Sequence, residues 1–278
     1  MRSILAALDD TPSGDLAIGF ALKTARIRGA RLTGIAVIDR DFLSPPELGR
    51  IGMIELKARR DAARLSAEQQ RTEKLQRGFL KSCGMSGISA DVALLEGEPT
   101  QCLREVSALH DAIVIGRDSD LHGEASNGGA DTVAGLLKKT ARPLFVVPPD
   151  RDVNGPEDVL IAYDGSVPSA RTLQMFALLR LLDGVKSTVL SIGRSREQAV
   201  RASHEAGTYL ALYGYVPNLV PIESAADPAD ITLEHVKRAK PGLMVMGAYG
   251  HTGLKERLLG SFTTKLLARS AAPLFVYH

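Results

Sequence analysis

Cysteine is scarce: Cys83 and Cys102 are the only two in 278 residues, and they lack the Cys-x-x-Cys spacing of a metal or redox pair. That excludes a disulfide-stapled scaffold and leaves two reduced, partly buried thiols. An excess of either charge is also lacking, since 34 Lys and Arg against 32 Asp and Glu give a formal net charge of +2. Nothing therefore advertises nucleic acid or a membrane surface as a partner. No apolar run reaches the roughly 18 residues of a membrane span, and the opening MRSILAALDD turns acidic too soon for a secretory leader. The expectation is a soluble, cytoplasmic chain. What is present is ordinary: 45% apolar residues, enough for a real core in one large domain or two of usual size.

The chain is written twice. Ile4-Leu-Ala-Ala-Leu-Asp9 matches Leu160-Ile-Ala-Tyr-Asp164, each an apolar strand ending in Asp followed by a Pro-Ser pair. Ala112-Ile-Val-Ile-Gly116 matches Leu243-Met-Val-Met-Gly247. Ala141-Arg-Pro143-Leu-Phe-Val matches Ala271-Ala-Pro273-Leu-Phe-Val. Three matched blocks in one order mean duplication. Between the copies, Pro148-Pro149-Asp-Arg-Asp-Val-Asn-Gly155-Pro156 is polar, proline-rich and aperiodic, which reads as a linker between domains 1–149 and 157–278.

Within each copy, short apolar runs flanked by turn residues read as strands covered on both faces. They fall at 4–9, 32–38, 90–95, 112–116 and 144–147, and at 159–164, 187–192, 215–222, 243–247 and 274–277. Helical stripes lie between them: Leu16, Phe20 and the Ala17/Ala21/Ala25 row stopping at Gly29, and Leu173, Phe176, Ala177, Arg180 and Leu181 stopping at Gly184. The expectation is α/β: two tandem, doubly wound, five-stranded parallel sheets, with ligands beyond the carboxyl ends of the strands where the order reverses. The closing strands 144–147 and 274–277 would be exposed hydrophobic edges unless they pair, so the two copies are expected to join there.

One stretch at such a strand end carries chemistry. In GAYGHTGLKERLLGS, Gly247 ends a buried strand, Gly250 turns the loop, and Gly260-Ser261 opens the last helix. A phosphate needs closely approaching backbone N–H groups and a helix N-terminus, and glycine permits that approach. Ser261, Thr263 and Thr264 add hydroxyl donors, and Lys255 and Arg257 add positive charge. Asp164, a carboxylate at a strand's carboxyl end, can accept from an exocyclic amine or a ribose hydroxyl, or it can cap the following helix. His251 reads as a backbone contributor with a solvent-facing imidazole, because no second acid or base accompanies it.

Gly247-x2-Gly250-x9-Gly260-Ser261, the strand ending Ala162-Tyr163-Asp164, and the closing Ala-Pro273-Leu-Phe-Val strand together resemble the universal stress protein family in its tandem two-domain form. The resemblance covers nearly the whole chain, more strongly in 157–278 than in 1–149. It implies sheets of order 3-2-1-4-5, like those of the adenine nucleotide alpha hydrolases, and membership of the nucleotide-binding subgroup. It further implies that Asp164 and Ile192 face an adenine with Ala162 and Tyr163 close to base and sugar. Met246, Gly247, Gly250, His251, Gly260, Ser261, Phe262 and Thr263 would line ribose and phosphates.

The first copy departs from this pattern. Ser119 stands in place of the second glycine, and the Gly-Ser step becomes Gly129-Ala130 or Ala130-Asp131. Residues 117–131 carry a net −3, where 248–262 carry +1, so the first copy is expected to bind ATP poorly or not at all. A metal or other-ligand site of Asp118, Asp120, His122 and Glu124 is the rival to a merely solvated acidic loop. Asp9 and Pro99 stand 90 positions apart, where Asp164 and Pro228 stand 64 apart. The excess is expected to form a long exposed helix within Glu47–Lys81, anchored by Leu56, Ala63, Leu75 and Phe79.

The expected function is that of an ATP-binding, nucleotide-dependent regulatory or stress-survival protein, not a turnover enzyme. The ligand is ATP, with or without magnesium, and the partners are an adenine nucleotide, a second copy in a homodimer and an unidentified protein. The alternative is a slow ATPase or another ATP-using enzyme of similar fold. Against it, the chain lacks Gly-x4-Gly-Lys-Ser/Thr, Ser-Gly-Gly-x-Asp-Ser and His-x-Gly-His loops.

Overall fold

The computed structural model describes residues 1–45, 54–122, 129–149, 158–248 and 260–278. In the first half the elements run β1 (Ser3–Ala7), α1 (Pro12–Arg28), β2 (Arg31–Ile38), α2 (Arg40–Leu43), α3 (Ile54–Met85), β3 (Ala90–Glu96), α4 (Pro99–Ser107), β4 (Ala112–Gly116), α5 (Gly129–Lys139) and β5 (Leu144–Val147). The second half runs β6 (Asp158–Ala162), α6 (Val167–Leu178), β7 (Lys186–Gly193), α7 (Arg196–Ala211), β8 (Asn218–Glu223), α8 (Pro228–Ala239), β9 (Leu243–Gly247), α9 (Ser261–Arg269) and β10 (Leu274–Tyr277). All ten strands form one sheet, in the order β3-β2-β1-β4-β5-β10-β9-β6-β7-β8. Read inward from its outer edge, each half has the expected 3-2-1-4-5 order.

The period-two pattern of the strands explains the two covered faces. Ile4 and Ala6 of β1 face the core shared with Phe20 and Ala21 of α1, while Leu5 and Ala7 face the core shared with Leu136 and Leu137 of α5. In the second half, α6 and α7 cover the first face, and α8 and α9 cover the second.

Every strand pair is parallel except the one at the centre, where β5 and β10 run antiparallel with Phe145 opposite Phe275. This pairing buries both closing strands. On one face it carries a file of four rings, Phe20, Phe145, Phe275 and Phe176, with successive centroids 5.3, 5.1 and 4.9 Å apart. Polar contacts also cross the centre: Arg28 Nη2 donates to the Leu181 carbonyl at 3.0 Å, and Arg117 Nη1 donates to the Ser270 carbonyl at 2.8 Å.

Local signals set most helix ends. Thr11 caps α1 by accepting from the Gly14 N–H, and Gly29 ends it at φ +63°. The second copy departs from expectation here: α6 stops at Leu178, before Gly184, and the chain turns through Arg180 at φ +57°. The turn still delivers Leu181 and Leu182 to the core. Strand β8 begins at Asn218, three residues later than the apolar run suggested, because the chain turns after Ala211 as far as Gly214, at φ +80°.

The long helix of the first copy is present as the 32-residue α3, but its anchors differ from those expected. Phe79 is buried and Leu75 packs against the core, whereas Leu56 is 66% exposed and Ala63 is also exposed. The buried stripe instead includes Glu68, Thr72 and Cys83. It is the ionic part of that stripe that shapes the first-half strand ends, as described below.

Candidate functional site

The carboxyl ends of β6, β7 and β9 open into a pocket of about 840 Å³, walled by α6 and α7 on one face of the sheet and by α8 and α9 on the other. Its floor includes Ala162, Tyr163 and Asp164 after β6 and Leu190, Ile192 and Gly193 of β7. Gly247 ends β9 at one side, and Gly260, Ser261 and Phe262 bring the start of α9 to the rim. The volume lies within the roughly 300–1,000 Å³ of small-molecule sites.

The start of α9 is the most distinctive part of this wall. Gly260 is its N-cap, and among the described residues no side chain caps the helix, so none of them satisfies its first N–H groups. The first described intrahelical bond runs from the Thr264 N–H to the Gly260 carbonyl at 3.0 Å. Thr263 Oγ1 is buried and has no hydrogen-bond partner among the described residues. The helix is tied to α8 by Lys265, whose ammonium reaches Asp227, the N-cap of α8, at 2.6 Å and Asp230 at 3.2 Å.

The expected site residues largely converge. Ala162, Tyr163, Asp164, Ile192, Gly247, Gly260, Ser261 and Phe262 all line the pocket. Met246 and Thr263 do not: the Met246 side chain is buried in the core beneath α8 and α9, and Thr263 is buried within the first turn of its helix. Gly250, His251, Lys255 and Arg257 lie outside the described residues. Asp164 is exposed at the mouth and accepts from the Ser166 N–H at 2.9 Å, while Ser166 itself caps α6. The capping alternative for Asp164 therefore falls to its neighbour.

Gly247 has a structural duty beyond that expected. A β-carbon there would lie 2.7 Å from the Ser169 nitrogen and the Pro168 carbonyl carbon, so glycine is what lets α6 start against the end of β9. Gly116 does the same in the first half, where a β-carbon would lie 2.7 Å from the Gly14 nitrogen at the start of α1. Its retention in the copy without the Gly-Ser step follows from this shared packing.

Residues 193–278 match the model described as the universal stress protein family. Universal stress protein Slr1230 of Synechocystis is 22% identical over 179 residues, an alignment covering 64% of this chain and 61% of that relative. The match to the universal stress protein family thus covers the last 86 of the 278 residues. A solved universal stress protein from Archaeoglobus fulgidus superposes with a TM-score of 0.73 at 17% identity, covering 99% of this chain and 97% of that one, and so shares its fold.

The first half of the chain closes the equivalent strand ends with its own side chains. Asp9, the counterpart of Asp164, is fully buried and accepts from the Asp10 N–H at 2.8 Å and the Leu121 N–H at 3.2 Å. Leu121, at φ +65°, is buried there too. From α3, Arg71 reaches over this point: it lies 3.7 Å from Asp9, donates to Asp10 at 2.8 Å and grips Glu68 at 2.6 and 3.0 Å. Burial pushes the Asp9 carboxyl up to about 6, against the opposing pull of the Leu121 N–H and Arg71. His122 is also engaged, with its ring 3.2 Å from Asp39 and stacked on Phe42, and its N–H bonded to Asp120. No group of three metal-ligating side chains occurs among the described residues, while Glu124 lies outside them.

Sequence reasoning missed the α7 wall. Arg194, Gln198, Arg201, Ala202 and Glu205 all line the pocket. The 3–4 spacing of Gln198, Arg201, Ala202 and Glu205 along a helix that follows the second strand of the copy was an available signal, and it places them on one face.

Proposed function

We propose that the chain binds an adenine nucleotide, ATP, in its second half and acts as a nucleotide-dependent regulatory protein of the stress response. The observation that carries this reading is the N-terminus of α9, which no side chain among the described residues caps, with Gly260 and Ser261 at the rim of a pocket of about 840 Å³ over three strand ends. Unsatisfied N–H groups and the positive end of a helix dipole suit an anion of phosphate type. The apolar Ala162, Leu190 and Ile192 at the other side suit the face of a base, and Asp164 supplies an acceptor beside them.

In this reading Ser261 and the α9 N–H groups bind the phosphates, with Gly250 and His251 contributing from the intervening segment, and magnesium accompanying ATP or not. The first half binds no nucleotide, because Leu121 and the Arg71 cluster stand over its strand ends. It serves as the fixed half against which the second presents its ligand-dependent surface to a protein partner or a second copy. The rival reading, a slow ATPase, is separated by incubating the purified protein with ATP and following ADP and AMP release. The proposal expects ATP to be retained intact over many hours. Multiple turnovers per chain would favour the enzyme.

A further inference from the structure

Glu205 has no place in the site as read from the sequence, yet it reaches the pocket from α7. Two features fix it there. Gly193 lets β7 turn sharply into α7, since a β-carbon on it would lie 2.7 Å from the Ala199 nitrogen. The buried Tyr163 then donates its hydroxyl to Glu205 Oε1 at 2.7 Å. Burial first and the neighbouring Glu205 second push the Tyr163 phenol up, so it stays protonated and remains the donor. One carboxylate oxygen is thus held. The other, Oε2, lies 3.9 Å from where a β-carbon on Gly165 would stand, next to Asp164 at the mouth.

The sheet order says which end of a nucleotide meets this oxygen. Strand β6 lies between β9 and β7, so the α9 N-terminus approaches the pocket from the β9 side and Glu205 from the β7 side. A phosphate drawn to α9 leaves the base toward β7. An ionised carboxylate only accepts hydrogen bonds. We propose that Glu205, oriented by Tyr163, selects the base by accepting from the exocyclic amine of adenine, and that a base with a carbonyl at that position is rejected by the facing oxygens. This rests on the nucleotide reading above. Arg201, one turn earlier in the same wall, only donates, so a site read by Arg201 instead would have the opposite preference.

ATP and inosine triphosphate separate these cases, because they share ribose and phosphates and differ in the amine or carbonyl at the base edge. Titration calorimetry on the full chain is expected to show ATP binding about 10-fold or more tighter than inosine triphosphate, the range for a hydrogen bond to a charged group. Glu205→Gln, whose amide can donate as well as accept, should bring the two affinities to within about 3-fold. Tyr163→Phe keeps the carboxylate but frees its orientation, and should lower the ratio part-way. Equal midpoints of thermal unfolding for the nucleotide-free proteins would show that Glu205→Gln acts locally. An unchanged ratio in Glu205→Gln, or a wild type that prefers inosine triphosphate, overturns the inference while leaving nucleotide binding intact. Binding of neither compound by the wild type overturns the nucleotide reading and this inference with it.

Discussion

Replacing Gly260 by Asp should make the nucleotide-free protein more stable and weaken its binding of ATP. Gly260 is the N-cap of α9 at φ −61° and ψ 155°, an ordinary extended conformation open to any residue, so the substitution brings no backbone strain. The new carboxylate can accept from the first free N–H groups of the helix. Asp exceeds Gly as an N-cap by a few tenths of a kcal/mol, and its charge at the positive helix end adds about 0.3–1 kcal/mol. For a chain of this size that amounts to a rise of about 1–4 °C in Tm. A phosphate, however, would use the same N–H groups and would meet a like charge. At about 4 Å, two unit charges repel by roughly 1 kcal/mol in water and roughly 4 kcal/mol at an effective dielectric constant of 20. Affinity should therefore fall by about 5-fold at the least and up to about 1,000-fold. Calorimetric unfolding without nucleotide and isothermal titration with ATP read the two effects separately. A variant that binds ATP as tightly as the wild type would refute the assignment of phosphate to α9, whatever its stability.

The shared packing of the two halves predicts that Gly247→Ala and Gly116→Ala each destabilise by about 1–3 kcal/mol, read as a lower denaturant midpoint, because each methyl would meet a helix backbone at 2.7 Å. Indifference at either position would contradict the helix-approach argument. Phe275→Ala, at the middle of the ring file across β5 and β10, should cost about 3–5 kcal/mol and lower the unfolding temperature of both halves together; separate melting of an unaffected first half would count against a continuous core. The carboxyl of Asp9 is raised from 3.8 to about 6, so its contribution is fully present below about pH 4 and is lost as pH rises through about 6. Asp9→Asn should flatten that slope in unfolding free energy, by up to about 3 kcal/mol between pH 4 and pH 7. A wild type whose stability rises at the variant's rate over this interval would rule the effect out.

The repeat and the strand set were legible in the sequence, because each depends on local patterning: apolar runs of four to eight residues, turn residues around them, and three blocks recurring in one order; the strand order came from the family resemblance. The pairing of the closing strands was legible as well, since Leu144–Val147 and Leu274–Tyr277 would otherwise be exposed apolar edges, whereas its antiparallel sense was not. What sequence reasoning missed depends on which side chains a fold brings together. Arg71 and Asp9 are 62 positions apart and meet only because α3 crosses the first-half strand ends. Charge on that helix looked like solvation, and Leu56 looked like an anchor, yet the ionic residues are the ones that turned inward. Gly247 was read for the phosphate, whereas its tightest neighbours are backbone atoms of α6. The helical spacing of Glu205 with Gln198, Arg201 and Ala202 could have placed it on the pocket face, but its bond to Tyr163, a contact across 42 residues, no motif spacing reveals.

The most direct test of the account is the number of ATP molecules bound per chain, measured by isothermal titration on protein stripped of nucleotide by unfolding and refolding. One site per chain, lost in Gly260→Asp, is the predicted result. Two sites would contradict the closure of the first half by Leu121 and Arg71, and none would contradict the nucleotide pocket itself.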